Sequence, residues 1–483
     1  MKTDTIAAIA TAMADSGIGI VRISGEEAIE IADRMFRTKS GKRILREVVS
    51  HTINYGYIVD NSSGEKNDVD EGYLKESNIV DEVMVGVMKS PGSYTTEDTV
   101  EINCHGGVLM MNRILELVIK NGARIAEPGE FTKRAFLNGR IDLSKAEAVI
   151  DIIHSKNQFA LKSSVSQLKG SVSEVVKGLR QELIYEIAFI ESALDDPEHI
   201  SLEGYGERLY EKTDNIISKL KKLLDSADNG MMLKEGINTV IVGKPNAGKS
   251  SLLNLLVGEE KAIVTDVAGT TRDVLEESIK LHGISLNIID TAGIRYTEDV
   301  VEKIGVERAI KYASSADLVI FVVDASLPLD ESDNHIIQMI AGKKTIILLN
   351  KTDLDEVTTE DILSAEIRAV DKAVDASHIR IIKTSTKENI GIDLLEKAIK
   401  DMFFQGEISF NDEVFITNMR HKEAIMNAYE DMLQVRRSLE DGMPEDFYSI
   451  DLMSSYSSLG TIIGEEVGED LVNEIFSKFC MGK

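Results

Sequence analysis

Apolar residues follow two different periods along the chain, and the period changes near residue 120. Before that point, short apolar runs at 18–23, 83–88 and 99–103 alternate as half-buried strands do. Residues 26–35 instead carry apolar positions at helical spacing. Strands mixed with helices predict an α+β domain over residues 1–120.

Helical spacing dominates the next segment. From about 143 to 195 the apolar residues recur every three or four positions, which predicts one long helix or two. Asp195-Asp196-Pro197 should end this pattern, because proline disfavours a helical conformation in the residue before it. A further helix is predicted from Glu207 to about Ala227, and the pattern changes after Asn229-Gly230. Residues 121–234 are therefore expected to be helical.

Strands and helices alternate from Ile237 to about Phe404, and the tail from about Val414 is helical again. The alternation is typical of a doubly wound parallel sheet. The simplest architecture inserts this module, residues 235–404, between two parts of one helical domain, the second part being residues 405–483. The predicted fold class is multidomain α/β: an N-terminal α+β domain, a discontinuous all-helical domain and an inserted α/β domain.

The chain is strongly acidic. Of its 483 residues, 54 are Lys or Arg and 82 are Asp or Glu, so the formal net charge is −28, while 43% are apolar. A chain-wide basic surface for nucleic acid is excluded, because affinity for polyanions depends on clustered cations. Any contact with RNA or DNA must come from a local patch or a partner protein. The acidic stretch 60–78 is expected to be a solvated loop.

Cysteine usage and the N-terminus indicate the compartment. Cys104 and Cys480 cannot form a disulfide framework, and the sequence lacks CxxC or Cys/His zinc-ligand spacing. Residues 6–14 imitate the apolar core of a secretion signal, but Asp4 beside the lone Lys2 and an apparent strand just afterwards favour a folded segment. No run of 18 apolar residues occurs, so no membrane span is expected. The prediction is a cytoplasmic protein.

A phosphate-binding loop follows the apolar strand at 238–242. Residues 243–250 read GKPNAGKS and lead into an apolar helix that starts at Ser251. In this strand–GxxxxGKS–helix order, backbone N–H groups close around phosphate oxygens, Lys249 reaches the β- and γ-phosphates, and the Ser250 hydroxyl is placed for Mg²⁺. The order of elements makes a chance match improbable.

Three later motifs follow strands in the order expected of a GTPase. Asp290-Thr291-Ala292-Gly293 places Asp290 where a second magnesium-holding carboxylate belongs. Asn350-Lys351-Thr352-Asp353 offers a carboxylate that accepts both N–H groups of a guanine edge. Thr384-Ser385-Thr386 supplies a backing loop. With the P-loop, these motifs resemble those of the translation-factor-like GTPases.

The residue after Gly293 is Ile294, whereas Ras-type enzymes have a glutamine there that orients the attacking water. Two interpretations stay open at this point. The protein is a slow switch, or the transition-state charge is met by an ion. Asn246, inside the P-loop, has a carbonyl oxygen suited to a monovalent cation placed where an arginine finger otherwise acts.

Longer strings outside these motifs resemble the tRNA-modification GTPase MnmE (TrmE) family. They include AIVTDVAGTTRD at 262–273, the C-terminal CMGK at 480–483, and residues 4–25, 93–107 and 128–153. The resemblance covers nearly the whole chain. It implies an N-terminal folate-binding domain that dimerises, a helical domain in two parts and a GTPase domain inserted between them.

The resemblance also implies how GTP is hydrolysed. Thr271 joins Ser250 on Mg²⁺, and Glu302 orients the water in place of glutamine. Without the resemblance, the alternative interpretation of Glu302 is a solvated acid on a helix face. Lys249 and Glu302 are the expected catalytic residues. The K⁺ ligands implied are Asn246, Thr265, Val267 and Thr270. The expected GTP contacts are Asn246, Ala247, Gly248, Lys249, Ser250, Ser251, Thr265, Asp266, Val267, Ala268, Gly269, Thr270, Thr271, Asp290, Thr291, Ala292, Gly293, Asn350, Lys351, Asp353 and Ser385.

For a tetrahydrofolate derivative, the resemblance assigns Arg22, Glu101, Arg140 and Lys483. Their chemistry suits a pterin, whose N–H edge needs a carboxylate, and a glutamate tail, which needs cations. Cys480 lacks a neighbouring histidine in sequence, so its role as a nucleophile stays open. His105 is expected to be structural.

The reaction that the resemblance implies places an aminomethyl or carboxymethylaminomethyl group on C5 of the wobble uridine in certain tRNAs. The carbon comes from methylene-tetrahydrofolate. The homodimer works with an FAD-dependent partner, MnmG, in a heterotetramer. The acidic charge is consistent with a partner that supplies most of the tRNA contact.

The sequence favours two other classes of function less. A regulatory or assembly GTPase, such as a ribosome-maturation factor, would be favoured by an appended basic RNA-binding domain, which the sequence lacks. An interaction scaffold with an inactive nucleotide site is disfavoured by intact Lys249, Ser250 and Asp290.

Overall fold

The structure is a computed structural model that describes residues 4–60, 78–259, 277–281, 284–289, 316–370, 379–404, 414–480 and 482. The interior of the acidic stretch 60–78 lies outside these residues. Two compact units are present. The first contains Met1–Ile153, Gln167–Phe189 and Met453–Lys483, and the second contains His154–Ser166 and Ile190–Leu452.

The first unit is built on a seven-stranded sheet with the order β3-β4-β5-β6-β2-β1-β7. Neighbouring strands are antiparallel except β1 and β7, which are parallel. The strands are β1 (Ile6–Ile9), β2 (Ser16–Ser24), β3 (Phe36–Arg37), β4 (Thr52–Val59), β5 (Ile79–Met88), β6 (Thr99–Gly106) and β7 (Arg124–Ile125). The apolar segment at residues 6–9 is thus a strand hydrogen-bonded on both sides.

Alternation along β2 and β6 separates the two faces of this sheet. Val21 and Ile102 are buried against helices α1 (Ala28–Met35) and α2 (Val108–Lys120). Arg22 and Glu101, one position along, lie opposite each other on the other face. Because side chains alternate with a period of two, the same strands build the core and present charged groups outside it. The predicted α+β character of this region is confirmed.

Further helices complete the first unit and continue into the second. They are α3 (Glu130–Leu137), α4 (Leu143–His154), α5 (Gln158–Lys169), α6 (Ser171–Asp195), α13 (Glu445–Ile463) and α14 (Glu469–Ser477). Leu143 at the start of α4 packs with Phe476 of α14 in a small apolar cluster. The predicted helical run 143–195 is confirmed as helical, in three pieces rather than one or two.

Helix α7 (Tyr205–Glu235) in the second unit is longer than the sequence pattern predicts. The change after Asn229-Gly230 does not end it. A Cβ at Gly230 would lie 2.5 Å from the carbonyl oxygen of Ile416, so the glycine permits close packing just before helix α12 (Met419–Glu440). The helix ends instead at Gly236, whose φ is +90°.

The second unit also contains a six-stranded sheet with the order β13-β12-β11-β8-β10-β9. Its strands are β8 (Ile237–Val242), β9 (Glu277–Leu281), β10 (Ile284–Ile288), β11 (Leu318–Asp324), β12 (Thr345–Asn350) and β13 (Ile379–Lys383). Every pair is parallel except β9 with β10, an antiparallel edge that the sequence pattern did not indicate.

Helices cover both faces of this sheet: α8 (Lys249–Glu259), α9 (Glu331–Met339), α10 (Glu360–Val370) and α11 (Ile392–Phe404). Residues of α8 and α11 share one apolar cluster and residues of α9 and α10 share another. Strands β11 and β12 are buried along their whole length, as expected of central parallel strands. The predicted doubly wound sheet is confirmed, and its polar residues collect where the strands end.

Candidate nucleotide and folate sites

The P-loop leaves the sheet at the end of β8 and is shaped by two glycines. A Cβ at Gly243 would lie 2.3 Å from the Val322 carbonyl oxygen, and one at Gly248 would lie 2.1 Å from Nδ2 of Asn350. Both glycines have positive φ. Lys249 Nζ donates to the carbonyl oxygens of Gly243 (2.7 Å) and Lys244 (2.6 Å). The ammonium group is thus held inside the loop that is predicted to bind phosphates.

Desolvation by burial lowers the pKa of Lys249 from its ordinary value. A phosphate group would offset that desolvation, which fits the predicted role of this lysine. Ser250 and Ser251 follow in the first turn of α8. Asn246 lies at the tip of the loop, exposed and with a φ of +62°.

A second contact of the P-loop, which the sequence pattern does not indicate, is an ion-pair clamp formed by Lys244, Asp330 and Asp333. Lys244 Nζ lies 2.9 Å from an Asp330 oxygen and 2.7 Å from an Asp333 oxygen. Asp330 is the N-cap of α9, and with Asp333 it forms a capping box. Because the Lys244 carbonyl also accepts from Lys249, the clamp connects α9 to the phosphate-binding lysine.

Asn350 joins the P-loop to the predicted guanine-binding loop. It is fully buried; its Nδ2 donates to the Ala247 carbonyl (2.8 Å), and its Oδ1 accepts from the Thr386 N–H (3.1 Å). Ser385 Oγ donates to Asp353 Oδ1 (2.8 Å). Three motifs that are far apart in sequence therefore meet in one network.

Several predicted site residues lie outside the described part of the chain. They are Thr265, Asp266, Val267, Ala268, Gly269, Thr270, Thr271, Asp290, Thr291, Ala292, Gly293, Glu302 and Lys483. Within the described residues, no group of three or more His, Cys, Asp or Glu side chains is arranged to hold a metal ion. The predicted roles of these residues stay predictions.

In the first unit, two of the predicted folate residues form an ion pair. The Nε and Nη2 atoms of Arg22 each lie 2.8 Å from Oε1 of Glu101, and Oε2 has no partner among the described residues. The Arg22 guanidinium lies 5.6 Å from the centre of the Phe131 ring. The Arg140 guanidinium lies 4.9 Å from the centre of the Tyr94 ring.

Tyr94 packs against the small cluster that contains Phe131. Arg22 and Arg140 therefore border the same apolar cluster. Oε2 of Glu101, which has no partner within the described ranges, lies beside Arg22.

Comparison with known proteins identifies the family. A model described as the MnmE helical domain matches residues 143–480, and one described as the GTP-binding protein TrmE N-terminus matches residues 5–140. A tRNA modification GTPase MnmE of Lachnoclostridium phytofermentans is 56% identical over 100% of both chains. The chain belongs to the MnmE family of tRNA modification GTPases. The predictions of this family, of its fold class and of a GTPase are confirmed.

Other MnmE relatives are similar over the same length. The protein so named from Acetivibrio thermocellus is 50% identical over 100% of both chains, and that from Clostridioides difficile is 48% identical over 99% of both. A solved structure of Aquifex aeolicus Era bound to GDP and AlF4⁻ is 28% identical over 41% of this chain and 67% of that one, with a TM-score of 0.26. At this TM-score, the two structures do not superpose as whole chains. In the described part of this MnmE chain, no helix is long and apolar enough to cross a membrane.

Two described residues near the C-terminus of this MnmE family member, Cys480 and Gly482, contact the first unit. Arg22 Nη1 donates to the Gly482 carbonyl (3.1 Å), and the Gly129 N–H donates to the Cys480 carbonyl (3.3 Å). Gly482 has a φ of +88°, and a Cβ there would lie 2.4 Å from the Ile9 carbonyl oxygen. Gly482 is thus fixed beside Arg22, a contact that no local sequence signal indicates.

The structure also separates the two cysteines and places His105. Cys104 is buried, which raises the pKa of its thiol to about 11, whereas Cys480 is exposed. His105 Nδ1 lies 2.6 Å from Oδ1 of buried Asp81, whose other oxygen accepts the His105 backbone N–H. The hydrogen bond from Asp81 raises the pKa of His105.

Proposed function

We propose that this protein is a K⁺-dependent GTPase that modifies C5 of the wobble uridine of certain tRNAs, together with an FAD-dependent partner, using a tetrahydrofolate one-carbon unit. The product is an aminomethyl or carboxymethylaminomethyl group. The observation that carries the proposal is the network through Asn350, which joins the P-loop to the guanine loop in a chain of the MnmE family.

Guanine as the base is supported by the geometry around Asp353. Its Oδ1 accepts from Ser385 Oγ, which fixes the carboxylate on a loop that Asn350 also holds. A fixed carboxylate accepts two N–H groups from guanine, and adenine lacks that donor pair. Lys249, held by two loop carbonyls, is the cation for the β- and γ-phosphates.

Ser250 and Thr271 would hold Mg²⁺, which would supply positive charge to offset the charge of the phosphates. Asn246, Thr265, Val267 and Thr270 would hold K⁺. The Asn246 side chain is exposed in the P-loop, where its amide oxygen is accessible to a monovalent cation. Glu302 would orient the attacking water, because Ile294 cannot.

The first unit fits a folate. Two arginines border one apolar cluster with aromatic rings, and Glu101 keeps one oxygen for the N–H edge of a pterin. Arg22, Arg140 and Lys483 would bind the acidic tail, and the folate would supply the one-carbon unit. The cluster offers the apolar contact that a ring system needs.

We further propose a homodimer that forms a heterotetramer with an MnmG-type partner in the cytoplasm and acts on tRNA. Ile53, Tyr55 and Met84 are exposed on β4 and β5, which supports a contact through the first sheet. The net charge of −28 supports a division of labour in which the partner provides cationic contacts to tRNA.

The domain organisation proposed is a folate-binding and dimerisation domain at 1–120, a helical domain at 121–234 and 405–483, and a GTPase domain at 235–404.

The ion dependence is tested by measuring GTP hydrolysis in KCl and in NaCl at equal ionic strength. An arginine finger is worth ~10³ to 10⁵ in rate, and we expect at least about a tenfold preference for K⁺. Asn246→Ala should abolish it. Asn246→Gly removes the amide while tolerating the positive φ, so it should behave identically. Equal rates in both salts for the parent protein would refute the ion-assisted mechanism.

Folate binding is tested by calorimetry with formyl-tetrahydrofolate. Each charge-assisted hydrogen bond is worth about 1.5 to 3 kcal/mol, so Arg22→Ala with Arg140→Ala should weaken binding at least about 100-fold. Arg113→Ala is the matched control, since Arg113 is a partly exposed arginine paired with Asp60 on the same unit. Unchanged affinity in the double variant would remove the folate assignment.

A further inference from the structure

An ion pair joins Lys351 of the predicted guanine loop to Asp324, a residue outside the motifs read from the sequence. Lys351 Nζ lies 2.6 Å from Oδ2 of Asp324, the last residue of β11. The other oxygen of Asp324 accepts from the backbone N–H (3.0 Å) and the hydroxyl (2.6 Å) of Ser326. Asp324 is buried, and its two carboxylate oxygens contact Lys351 and Ser326.

Lys351 occupies a demanding position. It follows directly on Asn350 and precedes Asp353 by two residues, and its φ is +66°, a conformation that costs a non-glycine residue energy. A lysine side chain also loses rotamer freedom when it is fixed. The ion pair with Asp324 is a contact that offsets both the backbone strain and the lost rotamer freedom of Lys351.

The ends of β11 and β12 are locked together at this point. Asp324 pairs in register with Asn350, and the Ala325 N–H donates to the Asn350 carbonyl (2.8 Å). The Lys351 side chain therefore crosses from the end of β12 to the end of β11. Its methylene groups lie along that path. Strand β11 lies between β12 and the P-loop strand β8.

We propose that Asp324 is a positioning residue for guanine recognition, acting through Lys351. By holding the ammonium group, Asp324 fixes the aliphatic part of Lys351 as an apolar surface beside Asp353. The plane of the base packs against that surface while Asp353 binds its edge. The inference rests on the guanine site proposed above and adds a residue that the nucleotide does not touch.

A second lysine–carboxylate pair provides a matched control. Lys383 Nζ lies 2.7 Å from Glu356 Oε2 at the end of the neighbouring strand β13. This pair is more exposed, and it lacks the sequence contiguity with Asn350 and Asp353 that Lys351 has. Removing Glu356 should therefore leave nucleotide affinity unchanged.

The experiment is a double-mutant cycle on GDP affinity, measured by calorimetry with the full chain. Asp324→Asn keeps the shape and an acceptor for Ser326 but removes the charge, so it should weaken GDP binding about tenfold. Lys351→Met keeps an apolar stem without the charge and should weaken binding by a similar factor. Combining the two should cause no further loss, because Asp324 acts only through Lys351. With GTP, the effect of Asp324→Asn should fall on KM rather than on kcat.

Unchanged GDP affinity in Asp324→Asn would overturn the inference. So would an additional tenfold loss in the Lys351→Met background, since an independent structural role of Asp324 gives additive effects. If Asp324→Asn lowers the yield of folded protein, Lys351→Met decides the question by itself, because full GDP affinity in that variant contradicts the proposal. Failure of the parent protein to prefer GDP over ADP would instead refute the guanine site, which keeps the two failures distinct.

Discussion

Removing the Asn350 side chain is expected to loosen two loops at once. In Asn350→Ala, the buried Ala247 carbonyl loses its donor and the partly buried Thr386 N–H loses its acceptor. A buried polar group left without a partner costs about 1 to 3 kcal/mol, and the partly buried one costs about 1 kcal/mol. The sheet of the second unit should therefore lose about 2 to 4 kcal/mol of stability.

Hydrogen exchange of the β12 backbone amides measures this loss in place. The strand is buried along its whole length, so its amides exchange only when the sheet opens. A loss of about 2 kcal/mol or more predicts exchange at least about 30-fold faster. Nucleotide affinity should fall in the same variant, because both loops depend on Asn350.

Asn287→Ala is the matched control. Asn287 Nδ2 donates to the Glu235 carbonyl (2.9 Å) in a more exposed setting of the same unit. Its loss should cost under about 1 kcal/mol, or less than about fivefold in exchange rate. If Asn350→Ala accelerates exchange no more than Asn287→Ala does, the network does not hold the loops and the reasoning is refuted.

Three further outcomes are expected. Burial alone would raise the pKa of Glu130, but hydrogen bonding to Arg124 lowers it below its ordinary value of 4.5. Because the folded state favours the ionised carboxylate, this group stabilises the first unit above pH 4.5. The contribution is lost as the pH falls through the lowered pKa. Acid unfolding of the first unit, followed by circular dichroism, should thus begin at higher pH in Arg124→Gln, and an unshifted midpoint contradicts this. Gly482→Ala should weaken formyl-tetrahydrofolate binding by displacing the tail, whereas Gly468→Ala, with open space around its Cβ, should not; equal calorimetric affinities would count against a role for the tail. Iodoacetamide at pH 8 should label a single thiol by mass spectrometry, because the pKa of Cys104 is about 11, and rapid double labelling would contradict its burial.

The sequence predicts best those features that depend on contiguous residues. The GKPNAGKS loop lies between a strand and a helix as predicted, because each of its signals is local. The prediction that the helix ends near Gly230 is wrong. A glycine that ends a helix and one that permits close packing look alike in sequence. Only the approach of the Ile416 carbonyl distinguishes them.

Local sequence patterns do not predict contacts between residues that are distant in the chain. Lys244 pairs with Asp333 across 89 positions, and Arg22 reaches the carbonyl of Gly482. No single motif contains both members of either pair, so the local pattern does not indicate that they meet. Such pairs depend on strand order, since β11 lies beside β8 only in the folded sheet.

We propose that the modification of tRNA by this protein requires its GTP turnover. The most direct test is mass spectrometry of wobble-uridine nucleosides from cells that carry only a Glu302→Ala variant, with nucleotide affinity of the purified variant measured alongside. We expect GTP binding to be retained while fast hydrolysis and the modification are both lost. A normal level of modification in a variant that no longer hydrolyses GTP would contradict the account.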